Sequence, residues 1–299
     1  MKIFKSGIQR EGVYLRLRDQ SIWVAKGCCD LEEGVVAVPR VVENRKIKRL
    51  GEAFEVIEKR YRHYLVKASF SFKEIPVIPL RDIEYVYYPS KEPCENAPRS
   101  IVNTARKLLN VLWDTGLDAY VTGSLLYCLV DESSDIDVVV YVDRDIKDLI
   151  NMFLKKISPK KLDEESKDLV IRSVSENLDK YSHSVLLDRS LHEFVFEGFR
   201  VSIRYVMCNN DIKRVLCSGL SGHEYVEKIF VVRDDSLGIY TPSIYRASDS
   251  LGEEFILYSH RIRFANLRVG DKLFCRGVVE YCGEGFKRFN LDYSECLLI

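Results

Sequence analysis

The chain has almost no charge of one sign to spare. Its 45 lysines and arginines face 45 aspartates and glutamates in 299 residues. No global field gathers nucleic acid to it, although a local basic groove stays open. Long apolar runs are missing as well. No stretch approaches the roughly 20 residues needed to span a bilayer, so no membrane partner is expected. Met1 to Arg18 is charged throughout and has no apolar core, so no secretory leader is expected either. Methionine is scarce, at 3, and glutamine is low beside abundant Val, Ile, Arg, Glu and Lys, a composition that suits a thermophile.

The C-x-x-C spacing is also absent, which argues against a zinc ribbon. Nine cysteines, an odd number that includes the adjacent pair Cys28-Cys29, argue against a complete disulfide framework. Cys128, in an apolar segment, reads as a small buried hydrophobe. A reducing cytoplasm is the economical compartment, and a cytoplasmic location is the expectation.

What is present describes a globular protein, 46% hydrophobic and 30% charged, long enough for two or three domains. Its centre is Tyr120 to Val142. Here Gly123-Ser124 follows a short apolar lead-in, ten residues intervene, and Asp135-Ile136-Asp137 opens a strand-like run. Successive side chains on a strand alternate, so Asp135 and Asp137 share a face. Two carboxylates side by side repel unless a proton or a cation lies between them. Hard cations such as Mg²⁺ bind through one or two carboxylates plus substrate phosphates. Gly123 permits close backbone approach, and Ser124 suits the start of a helix whose N–H groups point at a phosphate.

This arrangement resembles the signature of the DNA polymerase beta-type nucleotidyltransferase superfamily, an apolar-Gly-Ser turn, a spacer of about ten, then Asp-x-Asp in a strand. The resemblance implies that Gly123 and Ser124 contact nucleotide phosphates, that Asp135 and Asp137 are catalytic and hold Mg²⁺ or Mn²⁺, and that an NTP is the substrate. It implies a third carboxylate from a later strand too. His192 to Val206 reads as a hairpin pivoting on Glu197-Gly198. Its alternation puts Arg200, Ser202 and Arg204 on one face, with Ser202 where the aspartate is expected. A serine is a far weaker metal ligand than a carboxylate and needs help to act as a base. Glu193 and Glu197 are the other acids nearby, and the expectation is that neither reaches in. Arg200 and Arg204 suit a triphosphate.

The flanks complete the expected layout, an α+β fold with a nucleotidyltransferase core of mixed sheet and flanking helices. Residues 1–95 form an N-terminal α+β domain. It has a hairpin over Gly12 to Lys26, a strand over Gly34 to Val41 placed at an edge by Pro39, a helix over Gly51 to Tyr64, and an extended run over Pro76 to Pro89. Tyr61, Tyr64, Tyr85, Tyr87 and Tyr88 interleave there with Arg60, Arg62 and His63. Core and solvated rim explain that pattern better than a nucleic-acid surface does. Pro89 to Pro98 reads as a linker. Residues 96–235 form the core. Helices are expected over Ser100 to Thr115, with Ile101, Ala105, Leu108 and Leu112 buried, and over Asp143 to Ile157. A further helix spans Leu162 to Tyr181, with Asp163, Glu164, Glu165 and Lys167 solvated. Residues 236–299 form a small β domain of the OB or SH3 type. Arg261, Arg263, Arg268, Lys272, Arg276, Lys287 and Arg288 make it either an RNA- or DNA-binding surface or a packing module. The whole layout also resembles uncharacterised archaeal nucleotidyltransferase-like proteins, which implies no substrate.

Two functions follow as expectations. One is Mg²⁺-dependent nucleotidyl transfer from an NTP to a hydroxyl of RNA, a small molecule or a protein. The other is a nucleotide- or nucleic-acid-binding protein that keeps the fold and lacks the third carboxylate.

Overall fold

The computed structural model describes residues 9–131, 134–174 and 176–299. Residues 1–8 of the charged N-terminal stretch, Glu132 and Ser133 of the spacer, and Ser175 lie outside them. The described residues form an α+β protein of three sheets and seven helices. None of these helices is long and apolar enough to cross a membrane.

The first sheet comprises β1 Tyr14–Leu17, β2 Ile22–Ala25, β3 Val35–Val42, β4 Arg45–Lys46, β5 Leu65–Val66, β6 Ile75–Ile78 and β7 Ile83–Tyr87. Its order is β5-β6-β3-β2-β1-β7, with β4 on β3. Alternation along β1 sends Leu15 and Leu17 to one face, where they pack with Trp23 and with Ala53 and Ile57 of helix α1, Leu50–Arg60. Each leucine or isoleucine among them contributes about 1.5–3 kcal/mol by leaving water. Tyr14 and Arg16 therefore stand on the opposite face. α1 stops at Arg60 rather than Tyr64. A short 3-10 turn, Arg62–Tyr64, follows and brings Tyr61 and Tyr64 edge-on to Trp23, at 5.1 and 5.9 Å. Pro39 lies in an interior strand, not at an edge. The strand tolerates it because β6 pairs only with Val35 and Val36 and β4 only with Val41 and Val42, and the register with β2 shifts beside it.

The second sheet holds β8 Ala119–Val121, β9 Ile136–Val142, β10 Glu193–Phe196 and β11 Phe199–Met207, in the order β10-β11-β9-β8. β9 and β11 run parallel and the other pairs antiparallel. Helix α2, Arg99–Asp114, buries the expected stripe of Ile101, Ala105, Leu108 and Leu112 against this sheet. α3 is one turn, Ser124–Tyr127, and α4 spans Lys147–Ile157 with Ile150 and Phe153 buried. The helix expected over Leu162 to Tyr181 is two: α5 Glu164–Val174 and α6 Lys180–Asp188. Asp179 caps α6 by accepting the Ser182 N–H at 3.0 Å, so a new helix starts there. Lys167 is not solvated. It is buried between Glu164 and Asp188, at 2.7 and 2.5 Å. Helix α7, Asn210–Cys217, leads to the third sheet.

That sheet takes its first strand, β12 Leu220–Leu237, largely from residues expected in the central core. β13 Ser243–Ser248, β14 Glu254–Ser259, β15 Lys272–Cys282, β16 Lys287–Asn290 and β17 Glu295–Leu298 follow. β12 pairs with β15 along Leu220 to Val231 and with β13 along Val231 to Leu237. The ring β12-β13-β14-β16-β15 thereby closes on itself, with β14 and β16 its parallel pair.

Covalent bonds lock these units, contrary to the reading of the cysteines. Eight of the nine are paired, as Cys28–Cys208, Cys29–Cys217, Cys94–Cys128 and Cys275–Cys296, while buried Cys282 is free. An odd count leaves one thiol over, and partners 180 and 188 residues apart carry no local spacing signal. Cys128 is a bonded, exposed residue rather than a buried hydrophobe. The argument for a reducing compartment, which rested on unpaired cysteines, falls with this pattern. A second lock is Arg288 of β16, fully buried. It pairs with Glu280 at 2.6 Å and donates to the carbonyls of Val215, Leu216 and Phe70. One guanidinium thus ties the barrel to α7 and to the first sheet's long loop.

Candidate functional site

All three units wall a single cleft of about 680 Å³, a size suited to a nucleotide-sized ligand. Its floor is the loop after β8. The Thr122 N–H donates to Asp137 O at 3.0 Å, and the Thr122 hydroxyl donates to Gly12 O at 2.7 Å. Gly123 then turns with φ +63°, a conformation that favours glycine. A β-carbon there would meet the Asp137 carboxylate. Ser124 follows, buried, and Cys128 ends the turn in a left-handed conformation, anchored through its disulfide to Cys94. The turn expected from sequence and Asp137 are therefore in contact, with Asp135 lining the same cleft.

Asp135 and Asp137 lie on the cleft face of β9, both half-buried. Across the parallel pairing, Ser202 of β11 stands beside Asp137, as expected. Arg200 and Arg204 share Ser202's face and line the cleft. One strand further, Glu193 of β10 stands beside Ser202. Asp137, Ser202 and Glu193 thus form one row across three strands. Glu193 thus lines the cleft, one strand beyond Ser202 and without contact to Asp135 or Asp137. Glu197 stays out. It occupies the exposed turn at φ +48° and pairs with Lys107 at 3.0 Å.

The row is electrostatically tense. Burial pushes the Asp137 carboxyl up to about 7, with Asp135 adding to the rise and Arg204 and Arg40 opposing it. Burial likewise pushes Glu193 up to about 7, opposed by Arg204 and Arg200 and reinforced by Asp135. Among the described residues none of these three carboxylates makes an ion pair within 4.0 Å. A neighbouring pair behaves differently. Glu11 is buried and accepts from Lys26 at 2.8 Å and from the Gly27 N–H at 3.2 Å. Burial alone would raise its pKa, yet Lys26 and Arg204 hold it below the ordinary value.

The remaining wall is the barrel's. Arg261 and Arg263 enter from the turn after β14 and are drawn to Glu176, Arg261 at 3.6 Å. Its other cations are largely spent on neighbours. Arg276 pairs with Glu227 at 3.1 Å, Lys287 with Glu253, and Arg288 with Glu280 inside the protein. Of the two readings of this domain, packing against the cleft is the one its contacts favour.

Among the described residues no three of His, Cys, Asp and Glu are gathered to hold a metal ion by themselves. Two acids that make no ion pair among the described residues, beside a turn that favours glycine, suit a cation that arrives with phosphate ligands. Comparison with protein-family models, with curated proteins and with solved structures finds no match.

Glu11, Lys26 and Arg40 escape sequence reasoning because they come from strands and loops of a sheet expected to be a separate domain. Glu193 was legible only through pairing register, which brings it opposite Ser202.

Proposed function

We propose that the protein transfers a nucleotidyl group from an NTP to an acceptor hydroxyl with Mg²⁺ or Mn²⁺, on the superfamily core that its central motif resembles. The observation that carries this reading is the row Asp137–Ser202–Glu193 facing the Gly123 turn. Asp135 and Asp137 would hold the cation together with phosphate oxygens. That cation would supply charge neutralisation on the phosphates. Gly123 and Ser124 would let the backbone meet the phosphates, and Arg200, Arg204 and Arg40 would offset their charge.

Glu193 takes a different part. It is two strands from Asp137, about 10 Å at the backbone by ordinary strand spacing. That separation supports a part with the acceptor rather than with the cation. In the transfer the acceptor oxygen bonds to the α-phosphorus, the bond from that phosphorus to the bridging oxygen breaks, and pyrophosphate leaves. Glu193 accepts the hydroxyl proton, and a carboxyl poised near neutral pH suits a general base. The barrel's ring order and its parallel pair favour the OB type over the SH3 type.

A transfer assay with radiolabelled NTP and divalent metal tests this, comparing wild type with Asp137→Ala and Glu193→Gln. Metal-dependent labelling lost in both variants supports it. The second reading, a nucleotide-binding protein without catalysis, is favoured by Ser202 in the third acid's place. NTP binding by calorimetry with no labelling of any acceptor would leave that reading standing.

A further inference from the structure

The cleft has an aromatic exit. Tyr14 and Tyr127 line it, their rings 5.0 Å apart, and burial and the Asp137 charge raise both phenols. Tyr87 follows, 6.3 Å from Tyr127, and Tyr85 is 4.7 Å from Tyr87. The row ends in solvent, with Tyr85 52% exposed. Strand pairing accounts for the alignment. Tyr14 stands opposite Tyr87 and Arg16 opposite Tyr85, all four on the face of the first sheet that α1 does not cover. The Arg16 guanidinium lies 5.6 Å over the Tyr85 ring while pairing with Glu84 at 3.2 Å. Arg18 and Arg81 meet at the far end, where Arg18 donates to Arg81 O. Tyr61 and Tyr64, part of the same sequence cluster, are core residues and take no part.

A sheet face that α1 leaves uncovered, with tyrosines in file, Arg16 beside them and Arg18 and Arg81 at its far end, suits stacked bases followed by a phosphate backbone. Every base offers a ring face, and arginines follow the phosphates. The barrel's surface cations, several of them paired, are not lined up with aromatic rings in such a row. We propose that this face binds single-stranded nucleic acid, stacking its bases on Tyr85 and Tyr87 and delivering its 3′ end past Tyr127 to the acid row. The acceptor of the transfer is then the terminal ribose hydroxyl. The acceptor role rests on the function proposed above. The stacking track does not.

The test is fluorescence anisotropy of a labelled 12-nucleotide single-stranded RNA, its DNA counterpart and an RNA duplex. The proteins are wild type, Tyr85→Ala, Tyr87→Ala and Tyr87→Phe, with circular dichroism to confirm folding and Mg²⁺–ATP calorimetry on each. The expected result is wild-type binding of the single strand well above the duplex. Each alanine should weaken it about 10-fold, Tyr87→Phe should stay near wild type, and ATP binding should not change. RNA bound better than DNA would assign the track to RNA, and equal binding to single strands of either kind. No single-strand binding, equal duplex binding, or alanine variants that bind like wild type would overturn the track, whatever the calorimetry shows. Tyrosine-dependent strand binding without any Mg²⁺–ATP binding would keep the track and remove the acceptor role.

Discussion

A β-carbon at position 123 would lie 2.8 Å from Cγ of Asp137, closer than real side chains pack. The turn and the acid are one object, and neither can change without the other. Gly123→Ala should therefore act on the site first. The left-handed φ adds strain of about 1–3 kcal/mol. The expected outcome is a folded protein whose Mg²⁺–ATP affinity falls at least 10-fold. Calorimetry beside a thermal melt checks both halves, and unchanged affinity would mean that Asp137 is not the ligand.

The raised acids make a pH prediction. Asp137 and Glu193, at about 7 in the fold against ordinary values of 3.8 and 4.5, keep protons that the unfolded chain has released. The unfolded state binds fewer protons between about pH 4 and 7. Stability from these groups is therefore full below that window, falls as pH rises through it, and is flat above 7. A divalent cation relieves the ionised pair, so Mg²⁺ should raise Tm more at pH 8 than at pH 5. A scan of Tm against pH with and without Mg²⁺ measures this.

Asp137→Asn should invert the usual sign of a site mutation. Without metal at pH 8 it removes a charge that burial penalises and that makes no ion pair within 4.0 Å among the described residues, and it should raise Tm by about 2 °C or more. It should also abolish the Mg²⁺ increment. A Tm lower than wild type under those conditions would contradict the electrostatic account.

Glu193→Gln and Glu197→Gln separate the two acids of the β10–β11 hairpin. The first should lower transfer by about 10²-fold or more, in the range of general-base removal, and leave NTP binding near wild type. The second should change neither, because Glu197 faces solvent and Lys107. Single-turnover labelling distinguishes them.

The Cys94–Cys128 bond closes a loop across a separation of 34 residues and pins the turn after Gly123. Loop-closure entropy assigns it about 3–4 kcal/mol. A Cys94→Ser/Cys128→Ser double variant should melt lower by that amount and bind Mg²⁺–ATP more weakly. Oxidised wild type melted beside the oxidised double variant isolates this bond, because the three other disulfides are common to both.

The motif and its alternation were legible because they are local. Gly123, Asp135, Asp137, Ser202 and Arg204 all reach the cleft through strand periodicity and one glycine turn. The stripe of α2 was legible for the same reason, at helical period. What was not legible depends on pairing between distant segments. Glu193 gains its place from register with β11, and Glu11 and Lys26 from the docking of the first sheet, where a β-carbon on Gly12 would come 2.7 Å from Val139. The four disulfides join partners between 21 and 188 residues apart, and no sequence window holds that information. Tyr85 and Tyr87 were noticed in sequence together with Tyr61 and Tyr64. Only the sheet's two faces separate the surface pair from the core pair.

Arg288 has a mechanical meaning beyond its hydrogen bonds. With Cys28 and Cys29 bolted to Cys208 and Cys217, it ties the first sheet and the barrel to the segment after β11 on one side of the cleft. On that side a visitor meets a braced edge, so the selectivity it contributes comes from shape already present.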